Sequence, residues 1–133
     1  MIGTPIGNLD DISKRVLDTL GSLDALACED TRHPRKISEH FSLLSPRTIF
    51  SCHDHNEDRA VGRIAGLLRQ GLRVGLVTDA GMPGISDPGF RAVQRATEEG
   101  FHVEVVPGPT AVATALAVSG LSAASYTFKG FPP

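Results

Sequence analysis

The chain has 133 residues, 41% of them hydrophobic and 21% charged, which fits one domain able to bury about two thirds of its unfolded surface without disulfide or metal. A net charge of −2 excludes the broad basic footprint of proteins that hold nucleic acid by bulk electrostatics, so any such contact must rest on a local patch. No apolar run reaches the roughly 18 residues of a membrane span. The first residues carry neither the basic segment nor the apolar core of a secretory signal, so the expected location is cytoplasmic, with Cys28 and Cys52 as reduced thiols.

In chain order, Ile12, Val16, Leu17 and Leu20 recur at helical spacing, which predicts a first helix capped by Asp10 or Asp11 and ended by Gly21. Residues 23–28 read as a short buried strand, residues 34–41 as a helix, and residues 48–52 as a second strand after a Ser/Pro-rich connection. Asn56 is the expected cap of a helix over residues 57–69, whose apolar positions Val61, Ile64, Ala65 and Leu68 share one face, with Gly71 closing it. A strand over residues 73–78 leads into the loop Asp79-Ala80-Gly81-Met82-Pro83-Gly84-Ile85-Ser86-Asp87-Pro88-Gly89. Asp87 is placed to cap the following helix, with Pro88 in its first turn, where a missing N–H costs nothing. Residues 102–106 read as a further strand, and residues 110–118 as an Ala/Val/Leu-rich helix after Pro107-Gly108-Pro109. Short strands separated by helices imply an α/β fold with a mostly parallel sheet and helices on both faces, because parallel neighbours need crossover connections. The sequence shows neither repeat nor internal linker. Residues 1–2 are too short for a full strand and residues 126–131 enter an apolar run, so the expectation is the N-terminal domain of a longer protein.

Four loops share one position, after a strand and before a helix: residues 3–8, 28–32, 79–89 and 107–111. Open α/β sheets bind ligands at the carboxyl ends of their strands, and a glycine without Cβ lets a ligand approach the main chain. The glycine loop fits neither G-x-G-x-x-G nor a phosphate loop ending in Gly-Lys-Ser/Thr, which disfavours NAD and ATP. Glu29-Asp30-Thr31-Arg32 places two carboxylates and a guanidinium at a strand end, where they could order a substrate or tie down the loop. Arg32-His33-Pro34-Arg35-Lys36 is the densest basic stretch, and a solvated helix face is its simpler reading. Cys52-His53-Asp54-His55 has metal-ligand residue types, but not the spacing of a structural zinc site, so no metal is expected. No serine lies in a G-x-S-x-G elbow, which argues against that class of hydrolase.

Five segments carry a resemblance: Gly3-Thr4-Pro5-Ile6-Gly7-Asn8-Leu9, Glu29-Asp30-Thr31-Arg32, His53-Asp54-His55-Asn56-Glu57, Thr78 with the glycine loop through Gly89, and Val106-Pro107-Gly108-Pro109-Thr110-Ala111. In this order they resemble the small-subunit ribosomal RNA 2′-O-ribose cytidine methyltransferases of the tetrapyrrole methylase superfamily, and Gly130-Phe131-Pro132-Pro133 is similar to that family's last motif before its second domain. The resemblance implies a tetrapyrrole-methylase-like N-terminal domain at residues 1–133, S-adenosylmethionine as methyl donor, small-subunit ribosomal RNA as substrate and a homodimer. It puts the cofactor against Asp79, Ala80, Gly81, Met82, Pro83, Ile85 and Ser86, with Pro107, Gly108, Thr110 and Ala111 beside them. Asp30 is then the candidate base or orienter and Arg32 the candidate phosphate or ribose anchor. Pro5, Arg32, Arg35, Lys36, His53 and His55 are the candidate RNA contacts, although both histidines also suit a structural role. A tetrapyrrole C-methyltransferase and a noncatalytic nucleotide- or partner-binding module are the alternative readings.

Overall fold

The computed structural model describes residues 1–131; Pro132 and Pro133, the end of the last motif, lie outside the described residues. Three parallel strands, β1 (Ala25–Cys28), β2 (Thr48–Ser51) and β3 (Val74–Val77), form a sheet in the order β2-β1-β3. Cys28 lies opposite both Ser51 and Val77, so the three carboxyl ends are flush. All four residues of β1 are buried, and its unbroken apolar run is the signature of a central parallel strand covered on both faces.

Among the described residues, α1 (Lys14–Leu20), α2 (Arg32–His40), α3 (Glu57–Arg69) and α4 (Phe90–Glu98) connect or cover the strands, and a fifth helix, α5 (Ala111–Val118), has no buried residue. One face of the sheet packs Leu26, Cys28 and Val77 against Val16 and Leu20 of α1 and Ile37 of α2, with Ile2 and Val106. The other packs Ala25, Ala27, Phe50 and Leu76 against Ala60 and Ile64 of α3 and Ala92 of α4. The period-two alternation of each strand thus feeds two separate apolar layers, and each fully buried Leu or Ile contributes about 1.5–3 kcal/mol.

Apart from one strand the expected order of elements is present, and α3 spans the residues its apolar spacing predicts. The predicted strand at residues 102–106 is a correction: only Val106 pairs, in a parallel bridge to Ile2. Residues 1–4 provide the edge that Val106 needs. Ile2 N donates to Leu76 O at 3.0 Å and Gly3 N to Val106 O at 2.9 Å, while Val103 and Val105 stay exposed.

Three caps differ from expectation. Asn8 takes Asp10 and Asp11 into a 3-10 turn, Leu9–Asp11, so α1 starts later and Ser13 caps it by accepting from Val16 N at 3.2 Å. Asn56 occupies the N-cap position of α3 without capping it; instead its amide accepts from His53 N at 2.9 Å and donates to Ser51 O at 3.2 Å. Asp87 does not cap α4, whose N-cap is Gly89 at φ +135°. The loop folds back first, with Gly84 N donating to Pro88 O at 3.1 Å, and this carries the helix start past Pro88. Helix α2 begins at Arg32, earlier than expected, with Pro34 buried in its first turn.

Candidate functional site

The four glycine- and acid-bearing loops meet at the carboxyl edge of the sheet, and their backbones touch. A Cβ on Gly3 would stand 2.5 Å from Gly108 N and 2.6 Å from Met82 Sδ; one on Gly108 would stand 2.7 Å from the Gly3 carbonyl carbon. Neither position has room for a side chain, so glycine is required on both sides of this seam. Thr4 and Gly81 exchange backbone hydrogen bonds of 2.9 and 3.1 Å in an antiparallel bridge, and Gly108 N points at Met82 Sδ at 3.3 Å. The first loop is thereby stitched to both the glycine loop and the Pro107 loop.

The glycine loop leaves a rim over that seam. Gly81 and Gly84 hold φ of +81° and +83°, and Ser86, a non-glycine, holds +55°, a conformation uncommon for residues with a Cβ. Asp79, Ala80, Ile85 and Ser86 are exposed, Met82 is half-buried, and Gly81 and Pro83 are buried. Of the second candidate segment, Pro107, Thr110 and Ala111 are exposed and Gly108 is half-buried. Thr110 Oγ1 accepts from Ala113 N at 3.2 Å and caps α5.

Carboxylates fasten the β1 loop to the β3 loop reciprocally. Asp30 N donates to Asp79 Oδ1 at 3.1 Å, and Asp79 N donates to Glu29 Oε2 at 3.4 Å. His33 Nδ1 lies 3.2 Å from the same Asp79 oxygen. Burial raises the Glu29 carboxyl above its ordinary pKa, with Asp79, Asp87 and Asp54 adding like charge against the hydrogen bond from Asp79 N. Burial also raises Asp87. Asp30 shifts the other way: hydrogen bonds from the Arg32 side chain and backbone N–H hold its carboxyl well below the usual range. Arg32 Nε reaches both carboxylate oxygens, at 3.0 and 2.9 Å, and its terminal nitrogen bonds the second. A carboxylate so paired is a weak proton acceptor and a strong hydrogen-bond acceptor.

The remaining candidates are distributed around this edge. Arg32, Arg35 and Lys36 are exposed on α2, whereas Pro5 is buried within its loop. His53 and His55 follow β2, with ring centroids 6.1 Å apart, and Cys52 N donates to Cys28 O at 2.8 Å, so they flank the Asp30 loop. Burial pushes the Cys28 and Cys52 thiols up to about 12 and about 11, which leaves neither as a nucleophile near neutral pH. Among the described residues, no three His, Cys, Asp or Glu side chains are grouped to hold a metal.

Sequence reasoning allowed Glu29 to tie down its own loop but missed Asp79 as its partner, and it missed the Gly3–Gly108 contact. The signal for the contact was a glycine within two residues of the strand end in both loops.

A family model described as tetrapyrrole (corrin/porphyrin) methylases matches residues 1–129. The chain is 48% identical over all 133 residues to "Ribosomal RNA small subunit methyltransferase I" of Vibrio cholerae, covering 46% of that protein. Over the same 133 residues it is 41% identical to proteins of that name from Thermotoga maritima, covering 59%, and from Escherichia coli O157:H7, covering 46%. The chain thus spans about half the length of the curated relatives it matches. Among solved structures, a uroporphyrin-III-C-methyltransferase from Thermus thermophilus superposes with a TM-score of 0.65 over 91% of this chain and 50% of that one, at 22% identity, a likeness of fold.

Proposed function

From the premise that the chain belongs to the tetrapyrrole (corrin/porphyrin) methylase family, we propose that it is the N-terminal domain of a two-domain enzyme that methylates a cytidine ribose 2′-hydroxyl in small-subunit ribosomal RNA. The observation that carries this reading is the glycine seam, lying under a loop rim, in a chain whose relatives at 41–48% identity are named small-subunit ribosomal RNA methyltransferases. The shared fold with a uroporphyrin methyltransferase does not choose a substrate, but those names support the RNA reading over the tetrapyrrole one.

The donor assigned by this reading is S-adenosylmethionine, and the residues present fit it. The exposed rim residues Asp79, Ala80, Ile85 and Ser86, with half-buried Met82 and the loop backbone that buried Gly81 and Pro83 shape on one side, and Pro107, Gly108, Thr110 and Ala111 on the other, would hold it. When bound, it supplies an electrophilic methyl group on a sulfonium whose departure needs no protonation. The chain's own contribution is then alignment, which can supply about 7–11 kcal/mol.

Asp30 acts as an orienter. Its pairing with Arg32 depresses its basicity, so it accepts a hydrogen bond from the ribose hydroxyl and fixes its direction. Arg32 keeps its charge and presents its outer N–H edge to RNA, while Arg35 and Lys36 on the same helix grip phosphates. His53 and His55 border the substrate side, and buried Pro5 shapes the first loop from within. A ribosomal RNA substrate assigns the enzyme to the cytoplasm, and no described helix is long and apolar enough to cross a membrane. The exposed apolar residues Val118, Leu121, Tyr126 and Phe128 are consistent with a homodimer.

Calorimetric titration with S-adenosylmethionine, beside NAD and ATP, tests the reading on this chain. Selective heat with S-adenosylmethionine is expected. Heat from NAD or ATP alone, or from none of the three, overturns the cofactor assignment.

A further inference from the structure

We propose that Arg59 and Arg63 of α3, which line one pocket with Phe50 at the β2 edge of the sheet, form an RNA-phosphate site on the face opposite Arg35 and Lys36. The inference rests on the RNA reading above and extends its substrate surface to residues that no motif marks. A pocket of about 540 Å³ is lined by Phe50, Ser51, Asn56, Arg59, Ala60 and Arg63. Strand β2 is an edge strand, and Ser51 lies opposite Cys28, two residues before Asp30. The pocket therefore opens at the same carboxyl edge as the candidate active site.

Both arginines are exposed, and neither makes an ion pair among the described residues. Their neighbours at helix spacing supply no carboxylate: Arg59 has His55, Asn56, Gly62 and Arg63, and Arg63 has Arg59, Ala60, Gly66 and Leu67. Two like charges four residues apart weaken an isolated helix, so this pair is a local cost that an anion would offset. The Arg63 guanidinium carbon lies 4.3 Å from the Phe50 ring centroid. That stacking fixes the guanidinium plane and leaves its N–H edge free for a phosphate oxygen. Asn56 has already spent its amide on His53, on the Ser51 carbonyl and on Ser51 Oγ, at 2.9, 3.2 and 3.1 Å, so the Ser51 hydroxyl proton remains to donate into the pocket.

Phe50 packs with Ala60 and Ile64 of α3, while Ile37 of α2 packs on the other face. The α2 patch and the α3 pair therefore flank β2 from opposite sides. An RNA strand reaching Asp30 past this edge would meet cations on both sides, though the chain as a whole is slightly acidic.

The test measures fluorescence anisotropy of a labelled short single-stranded RNA with the full chain, from about 50 to 200 mM salt, where each phosphate contact on a single strand contributes about 0.7 to the log–log slope. The Arg59→Gln/Arg63→Gln variant is expected to lose about 1.4 of slope, Arg59→Gln alone about 0.7, and Arg59→Lys/Arg63→Lys almost none. Arg73→Gln, at the opposite end of β3, removes one charge as a control and should leave the slope unchanged. Wild-type binding with an undiminished slope in both Gln variants overturns this site while leaving the RNA reading intact. No RNA binding by the wild-type chain even at low salt overturns both.

Discussion

The carboxyl edge of the sheet and helix α5 meet at Thr110 and are held by opposite means. At the edge, Gly3, Gly81 and Gly108 bring backbone against backbone, and carboxylates of Glu29 and Asp79 tie two loops through their N–H groups. Contacts there leave no room for a side chain at Gly3 or Gly108. Helix α5 has none of this: its eight residues are mostly apolar, none is buried, and its support is the Thr110 cap. Short helices are marginal without tertiary packing. A helix that is apolar all round normally lies in an interior, whereas α5 is exposed.

Four perturbations probe this contrast, from strong to weak. In the proposed two-domain enzyme, Asp30→Ala should lower the proposed methyl transfer to small ribosomal subunits about 10²-fold through misalignment of the hydroxyl. Unchanged turnover in a folded variant would remove Asp30 from the mechanism. Next, Gly108→Ala forces a Cβ into the Gly3 backbone, and overpacking of this kind costs about 1–3 kcal/mol. Urea denaturation measures it, and a neutral result would mean that the seam is looser than described.

Asp87→Asn is a subtler probe. Burial raises this carboxyl, so the folded state binds its proton more tightly than the unfolded state does. Its favourable contribution is present below the ordinary carboxylate pKa and is lost as pH rises through the raised folded value. Asp87→Asn should therefore raise the melting temperature near neutral pH and have little effect at acid pH; the reverse pattern would show that Asp87 is stabilised as an anion. Smallest of all, Val118→Ser in the isolated chain should stay within about 0.5 kcal/mol, as exposed substitutions do. A loss on the scale of a core truncation, about 2–5 kcal/mol, would show that α5 is already covered in solution.

Much of this architecture was legible beforehand. Apolar spacing located α3, the run Ala25-Leu26-Ala27-Cys28 marked a central strand, and glycine with proline marked the loops that converge. Helix starts were less legible. Ser13, Asn8, Asp10 and Asp11 are all competent caps, and the choice among them followed from the 3-10 turn that Asn8 closes. The strand expected at residues 102–106 failed for a related reason. Its composition suits a strand, but pairing needs a partner edge, and residues 1–4 offer a bridge at Val106 and one further hydrogen bond, from the Met1 ammonium to Glu104 O at 2.9 Å.

What the sequence determined by itself is most of the alternation of elements and the two apolar layers, because these follow from periodicity. What tertiary structure alone decided is which distant groups meet. The Glu29–Asp79 clasp, the Asp30–Arg32 pair with its depressed carboxyl and the Arg63–Phe50 stack depend on parallel register setting three strand ends flush. Hydrogen bonds and charges act over a few ångströms, and local spacing along the chain carries no information about which loops come that close.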